Sequence, residues 1–482
     1  MHDFRPILLA VGALLCILGV AMLLPAMVDR AAENPDWQVF LAAAAATVFS
    51  GVSLILTNRC DTSQLSLPQV FMLTTFSWVT LAAFGALPFA FSKLGLNYSD
   101  AFFEAISGVT TTGSTVISGL DTAPPGILLW RGLLQWLGGL GIIVMAVSVL
   151  PIMKIGGMQM FRAEAFDTPE KVLPRAAQLA GALLLLYVGL TAAGIFFFWL
   201  AGMTPFEAVI HSMTTLSTGG YSTSDDSFGH FDSEAIDYVA TVFMILGSLP
   251  FILFLQVLRG RPRKFWRDSQ VRGFFAISLS TALLMTLWLW LVNDSSLREA
   301  LRYSLFNIVS IMTGTGFTDS DYTAWGWFPT AVFFFIMFVG GCAGSTSCGI
   351  KVFRFQVLYA QASVQVKKLI RPHGVFVPQY NHRPVQADVV ASVMGYFFLF
   401  AICYVALTLA VAASGVDFVT AASGAGTALA NVGPGIGDIV GPSGNFESLP
   451  TAAKWLLSLA MLLGQLELYT VLVLLSPTFW RR

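Results

Sequence analysis

GVTTTGSTV, residues 108–116, sets small and hydroxyl-bearing side chains between two apolar runs long enough to cross a membrane. The surrounding chain of 482 residues is 56% hydrophobic and only 11% charged, with a mean hydropathy of +0.74. Apolar runs of about twenty residues recur along its whole length, the composition of a polytopic membrane protein. That leaves no segment for a soluble domain and makes the polar stretch the feature to explain.

Candidate spans fall near 7–28, 38–57, 70–90, 126–150, 178–201, 235–258, 272–292, 327–349, 386–412 and 449–475. The first is too long in its apolar part for a signal peptide and has no clear small-residue cleavage site after it. Ten spans put both ends on one side. That side collects Arg5, Arg59, Lys154, Arg162, Lys171, Arg175, the run LRGRPRKFWRDSQVR (258–272), the acid-free linker from Lys351 to Gln386, Arg481 and Arg482, together 20 of the 26 basic residues. The opposite loops carry Asp225, Asp226, Asp232, Glu234, Asp319, Asp321, Asp438 and Glu447. The excess of Lys and Arg therefore predicts a multi-pass protein with both termini in the cytoplasm. Cys16, Cys60, Cys342, Cys348 and Cys403 are scattered through apolar segments and suggest neither a disulfide framework nor a CxxC metal site.

Four segments on the acidic side share one pattern. DAFFEAISGVTTTGST (100–115), TPFEAVIHSMTTLSTGGYST (204–223), SLREALRYSLFNIVSIMTGTGFTDS (296–320) and VDFVTAASGAGTALANVGPGIGD (416–438) each start near a helix-capping residue, run at helical spacing and end in a small, glycine-containing stretch. Helices this short cannot cross a hydrocarbon core of about 30 Å, so they must enter and return. Aligned on Gly113, Gly219, Gly316 and Gly433, the copies are 106, 97 and 117 residues apart. Each is flanked by one span before and one after. Repetition of this kind predicts one unit used four times, although any single copy could equally be small-residue helix packing.

Irregular backbone at membrane depth is tolerated where it lines a water-filled cavity. Glycine permits the positive φ that lets successive carbonyls face one way, and threonine adds a hydroxyl. The C-terminal end of each half-helix brings the negative pole of its dipole toward the membrane centre. Such loops can replace the hydration of a cation. No ring of carboxylates accompanies them, which favours a monovalent ion over a divalent one.

At these residues the chain resembles the Trk/Ktr/HKT superfamily of potassium transporters, in particular its TrkH branch, over essentially its whole length. The resemblance implies an all-α polytopic fold of four helix–pore half-helix–helix repeats around one pseudo-fourfold pore, plus two extra N-terminal transmembrane helices. The units expected are 1–66 for those two helices and 67–155, 156–260, 261–370 and 371–482 for repeats one to four. Carried over by position, the potassium sites would be Thr111, Thr112 and Gly113, Ser217, Thr218 and Gly219, Gly314, Thr315 and Gly316, and Asn431, Val432 and Gly433. Glycine at all four loops implies a preference for K⁺, because relatives with serine at the first tend to pass Na⁺.

GGCAGSTSCGIKVFR (340–354) breaks the second span of repeat three with Gly340, Gly341, Gly344, Ser345, Thr346 and Gly349. The resemblance implies a movable intramembrane gate here, and close helix packing is the alternative. Where the family usually has an arginine in the motif GRLEL, this chain reads GQLEL, with Gln465 in its place. Glu467 is then a carboxylate in an apolar run, either functional or held by a hydrogen bond to a neighbouring helix.

The chain has no GxGxxG between a strand and a helix and no Walker motif, so nucleotide control requires another polypeptide. The resemblance implies a cytosolic TrkA-like nucleotide-binding ring, a homodimer and a bacterial cytoplasmic membrane. Membrane lipid is the remaining partner, and no nucleic acid is expected. K⁺ is the transported ion, with no bound cofactor. A secondary transporter with H⁺ or Na⁺ coupling stays open as an alternative, since broken helices suit that class too. An enzyme is not expected, because His2, His211, His230, His373 and His382 form no catalytic or metal-binding cluster. His211 reads as a packed residue.

Overall fold

The computed structural model describes residues 3–60, 65–148, 156–158, 172–381 and 383–481, without the side chains of 146–148 and 172–177. Lys154, Arg162, Lys171, Arg482, His2 and His382, the side chain of Arg175 and the 155/156 unit boundary of the sequence reading lie outside the described residues.

The fold is the all-α polytopic one expected. Two N-terminal helical segments, Arg5–Ala31 and Trp37–Thr57, pack through a pair of glycines. A methyl group on Gly12 would come within 2.7 Å of the Gly51 carbonyl oxygen, and one on Gly51 within 2.7 Å of the Gly12 oxygen. Small residues let the two backbones approach this closely where no hydrophobic driving force between helices exists. Four units of helix, short re-entrant helix, loop and helix follow. Their leading spans are Leu67–Phe91, Gln178–Leu200, Ser269–Val292 and Ala387–Ala413.

The re-entrant helices are Tyr98–Val109, Pro205–Leu216, Leu297–Thr313 and Phe418–Ala430. Each begins at a side-chain cap. Asn97, Thr204, Ser296 and Asp417 accept from the backbone N–H three residues on, at Asp100, Glu207, Glu299 and Thr420. Such a cap satisfies a donor that the first helical turn leaves free and is worth about 1 kcal/mol. Thr204 and Glu207 complete a reciprocal capping box.

The second spans depart from the sequence reading. Only the first, Pro125–Ser148, runs as one helix through its described length. The expected span 235–258 is two helices, Glu234–Ser248 and Phe251–Leu258, bent by 96°. The cause is Pro250, which together with Leu249 holds the backbone extended between them. The expected span 449–475 is Thr451–Gln465 and Tyr469–Leu475, bent by 118°. There Glu467 and Leu468 take positive φ values of 61° and 52°. In repeat three the helix Trp327–Ile336 stops halfway, and the chain resumes as helix Val352–Ile370 after a loop. The last break is the one its glycines predict, and the other two depart from the continuous spans expected.

Candidate functional site

The four loops leave their re-entrant helices in the same way. Thr112, Gly219, Thr315 and Val432 each donate a backbone N–H to a carbonyl five residues back, at Ser107, Thr214, Ser310 and Thr427. The preceding residues, Thr111, Thr218, Gly314 and Asn431, have φ values of 51°, 52°, 73° and 53°. The following ones, Gly113, Gly220, Gly316 and Gly433, have 88°, 79°, 80° and 110°. The register of the second loop is therefore one residue later than the alignment on Gly219. Gly220 is the counterpart of the other three glycines, and Ser217 sits one position ahead of Thr111.

These glycines close a cycle. A Cβ built on Gly113 would collide with the carbonyl oxygen of Gly219, one on Gly220 with that of Thr315, and one on Gly316 with that of Val432. One on Gly433 would lie 2.9 Å from the oxygen of Thr112. Loop one thus abuts loop two, two abuts three, three abuts four and four returns to one. Four loops in this order enclose a single axis, and glycine is required at the contact because any side chain would enter the neighbouring carbonyl.

Buried polar groups fix the ring from behind. The fully buried Glu104 carboxylate accepts from Arg131 Nε at 2.8 Å, Val116 N at 2.9 Å and Thr115 Oγ1 at 3.0 Å. Arg131 Nη1 reaches the Ser222 carbonyl at 2.8 Å, and its guanidinium lies 4.0 Å from the Tyr221 ring centre. Tyr221 Oη donates to the Glu104 carbonyl at 2.8 Å, while Gln135 bridges Gly219 O and Tyr221 N at 2.5 and 3.0 Å. Asn431 Nδ2 joins loop four to loop one through Thr112 Oγ1 at 2.8 Å. The sequence reading did not single out Glu104, Arg131, Tyr221 or Gln135. The available signal was an acid and an arginine inside apolar segments. His211 bonds the Glu207 carbonyl and Ser222 and packs on Phe228, Phe231 and Phe317, a structural role.

On the acidic side the ring opens into a vestibule of about 310 Å³, bordered by Gly113, Gly220, Gly316 and Gly433. A separate cavity beside Gly344, Cys348, Gln465 and Glu467 measures about 20 Å³, room for little more than one water. The intervening loop of repeat three fills the space. Cys348 Sγ lies 2.7 Å from Gln465 Oε1 and 3.8 Å from Thr111 Oγ1. Thr346 Oγ1 lies 3.0 and 2.8 Å from the carbonyl oxygens of Leu216 and Gly247, which share its one O–H.

The two bent helices hold this loop. At the repeat-two bend the free carbonyls of Gly247 and Ser248 accept from Thr346 N and Cys342 N, and Phe251 N donates to Gly344 O. Backbone groups released by one break are satisfied by the other, as burial in a membrane requires. At the repeat-four bend Glu467 forms a buried ion pair with Arg354, whose Nε also donates to Gly156 O at 3.0 Å. The partner left open for Glu467 is thus Arg354, with the Tyr396 ring stacked 3.7 Å from its guanidinium.

The family model for TrkH, described as a cation transport protein, matches residues 36–482. The chain is 43% identical to the Trk system potassium uptake protein TrkI of Halomonas elongata, over 100% of this chain and 98% of that one. It is 38% identical to the Trk system potassium uptake protein TrkH of Escherichia coli K12 over the full length of both. It superposes on the crystal structure of the potassium transporter TrkH from Vibrio parahaemolyticus with a TM-score of 0.92, at 37% identity and covering 100% of both chains.

Proposed function

We infer that this chain, which belongs to the TrkH family of cation transport proteins, takes up potassium across a membrane. Its family is one of transporters rather than enzymes. The observation that carries the mechanism is the closed cycle of four loops, each glycine against the carbonyl of the next. Backbone oxygens around one axis can exchange for the water of a monovalent cation without a carboxylate. The residues assigned to K⁺ are Thr111–Gly113, Thr218–Gly220, Gly314–Gly316 and Asn431–Gly433, with Ser217 at the inner rim of loop two. The units 67–155, 156–260, 261–370 and 371–482 form the four quarters of the pore, and 1–66 stands outside it.

In this proposal the basic side is cytoplasmic, both termini lie there, and the membrane is the bacterial inner membrane. Ions enter through the vestibule and stop at the segment Gly340–Gly349, which acts as the gate. Gln465, reaching Cys348, holds that segment by a hydrogen bond where the resembling family carries an arginine. The bases of 258–272 and 351–386 dock a cytosolic TrkA-like ring that moves the gate, and the chain works as a homodimer among anionic lipids.

The test is ion flux into liposomes holding the purified protein. K⁺ flux exceeding Na⁺ flux, following the K⁺ gradient and driving no protons, is the expected result. Uphill proton movement coupled to K⁺ would overturn the uncoupled pore. The gate has its own test in Thr346→Val, which deletes the hydroxyl shared by the Leu216 and Gly247 carbonyls. Loss of about 1.4 kcal/mol of hold on the closed loop raises its open population about tenfold. K⁺ flux without the regulatory ring should rise by about that factor, and an unchanged flux would remove Thr346 from the gate.

A further inference from the structure

We infer that the cluster of buried Asp237 and Asn307 with half-buried Arg302 and Asp319, behind the third loop, is a proton-binding site with the Asp319 carboxyl as its acceptor. Helix Glu234–Ser248 packs there against re-entrant helix Leu297–Thr313. Asp237 is 4% exposed and Asn307 fully buried. Asn307 Nδ2 donates to Asp319 Oδ1 and to Tyr303 O, and Ser320 Oγ donates to Asp319 Oδ1 at 2.8 Å. Arg302 stands 3.7 Å from Asp237 Oδ2 and 3.9 Å from Glu234 Oε1, too far for hydrogen bonds.

Four buried polar atoms then have no partner, the donor Arg302 Nε and three oxygens, Asp237 Oδ1, Asp319 Oδ2 and Asn307 Oδ1, so acceptors outnumber the spare donor. Arg302 Nε faces Asp237, which leaves the oxygens of Asp319 and Asn307 without a donor. The charges are also unequal, because Glu234, Asp237 and Asp319 face only Arg302 within the cluster and Arg298 at its exposed rim. One proton supplies a missing donor and removes the surplus charge together. The other groups nearby are committed elsewhere. Tyr303 stacks under Arg302, Asp321 bonds Thr323, and His230 of the adjoining loop faces Asp121 at 3.8 Å. Asp225, Asp226 and Asp232 of that loop are exposed.

Burial pushes the Asp319 carboxyl up to about 7, against the lowering effect of its hydrogen bonds from Ser320 and Asn307 and of Arg302. Its raised value means that the proton's contribution to the fold is complete below the ordinary 3.8 and is lost as pH rises through about 7. Asp319 follows Gly316 by three residues on the strand that Ser310 Oγ and Phe228 N hold at Phe317 O and Thr318 O, at 2.6 and 2.9 Å. Deprotonation leaves an uncompensated carboxylate beside that anchor and loosens loop three.

Infrared difference spectra of the full-length protein in lipid test the site directly. A protonated-carboxyl band should titrate near pH 7, vanish in Asp319→Asn and remain in Asp237→Asn. An unchanged band in Asp319→Asn overturns the site. The second readout rests on the potassium reading above. The K⁺/Na⁺ flux ratio of the wild type should fall as external pH rises through neutrality and stay at its low-pH value in Asp319→Asn. A ratio independent of pH beside a titrating band keeps the proton site and overturns its link to loop three.

Discussion

Gly220→Ala should abolish selective potassium passage, whereas Gly219→Ala should leave much of it. Gly220 holds φ at 79°, a conformation that costs an L-residue roughly 1 kcal/mol or more. Its new methyl group would also strike the Thr315 carbonyl, a backbone atom that cannot turn aside as a side chain does. The loops must separate by about 1 Å, and a displacement of that size in a set of coordinating atoms costs on the order of 100-fold in rate. Gly219 has no positive φ, and a methyl there meets the end of the Gln135 side chain, which can turn aside by giving up its bonds to Gly219 O and Tyr221 N, a smaller disturbance than a displaced backbone. Flux of K⁺ and Na⁺ through the two variants, side by side, checks the register. Equal damage from both, or greater damage at Gly219, would return the second loop to the alignment suggested by its sequence.

Arg131→Met is the second large effect, and it acts on folding as well as transport. The substitution leaves the Glu104 carboxylate buried without its ion pair, a change worth about 3 to 5 kcal/mol. It also frees the Ser222 carbonyl and the Tyr221 ring that tie loop two to loop one. A lower thermal midpoint in detergent and a reduced K⁺/Na⁺ flux ratio are the expected outcomes. Glu104→Gln combined with Arg131→Met should restore part of the thermal midpoint, because a neutral pair leaves no charge stranded. It should not restore the flux ratio, since the link to Ser222 is still missing. Recovery of both would reduce the pair to a purely structural role.

The contrast between Gly219 and Gly220 marks what the sequence could say. Each re-entrant helix announces itself locally, by a capping residue, a helical run and a small polar end, so all four were legible. LSTGGYS offers two adjacent glycines, and the choice between them depends on φ and on the Gly219 N to Thr214 O bond. Neither leaves a trace in composition. The break in repeat three was visible in its glycines. Pro250 carried a weaker signal for the bend in repeat two. The bend at Glu467 and Leu468 had none, because nothing local favours positive φ at those residues. It is secured by Arg354, 113 residues earlier in the chain. Long-range polar pairing of this kind also hid the role of Glu104 and Arg131.

The cycle of glycine against carbonyl has a consequence for how such a ring can change. Where identical subunits build a fourfold opening, every substitution is imposed four times, and intermediate forms are not reachable. Here the quadrants are written separately in one chain, with Thr, Gly, Thr and Val supplying the carbonyls that the four glycines meet. One wall can therefore be altered while three keep their spacing, which lets ion preference drift in quarter steps.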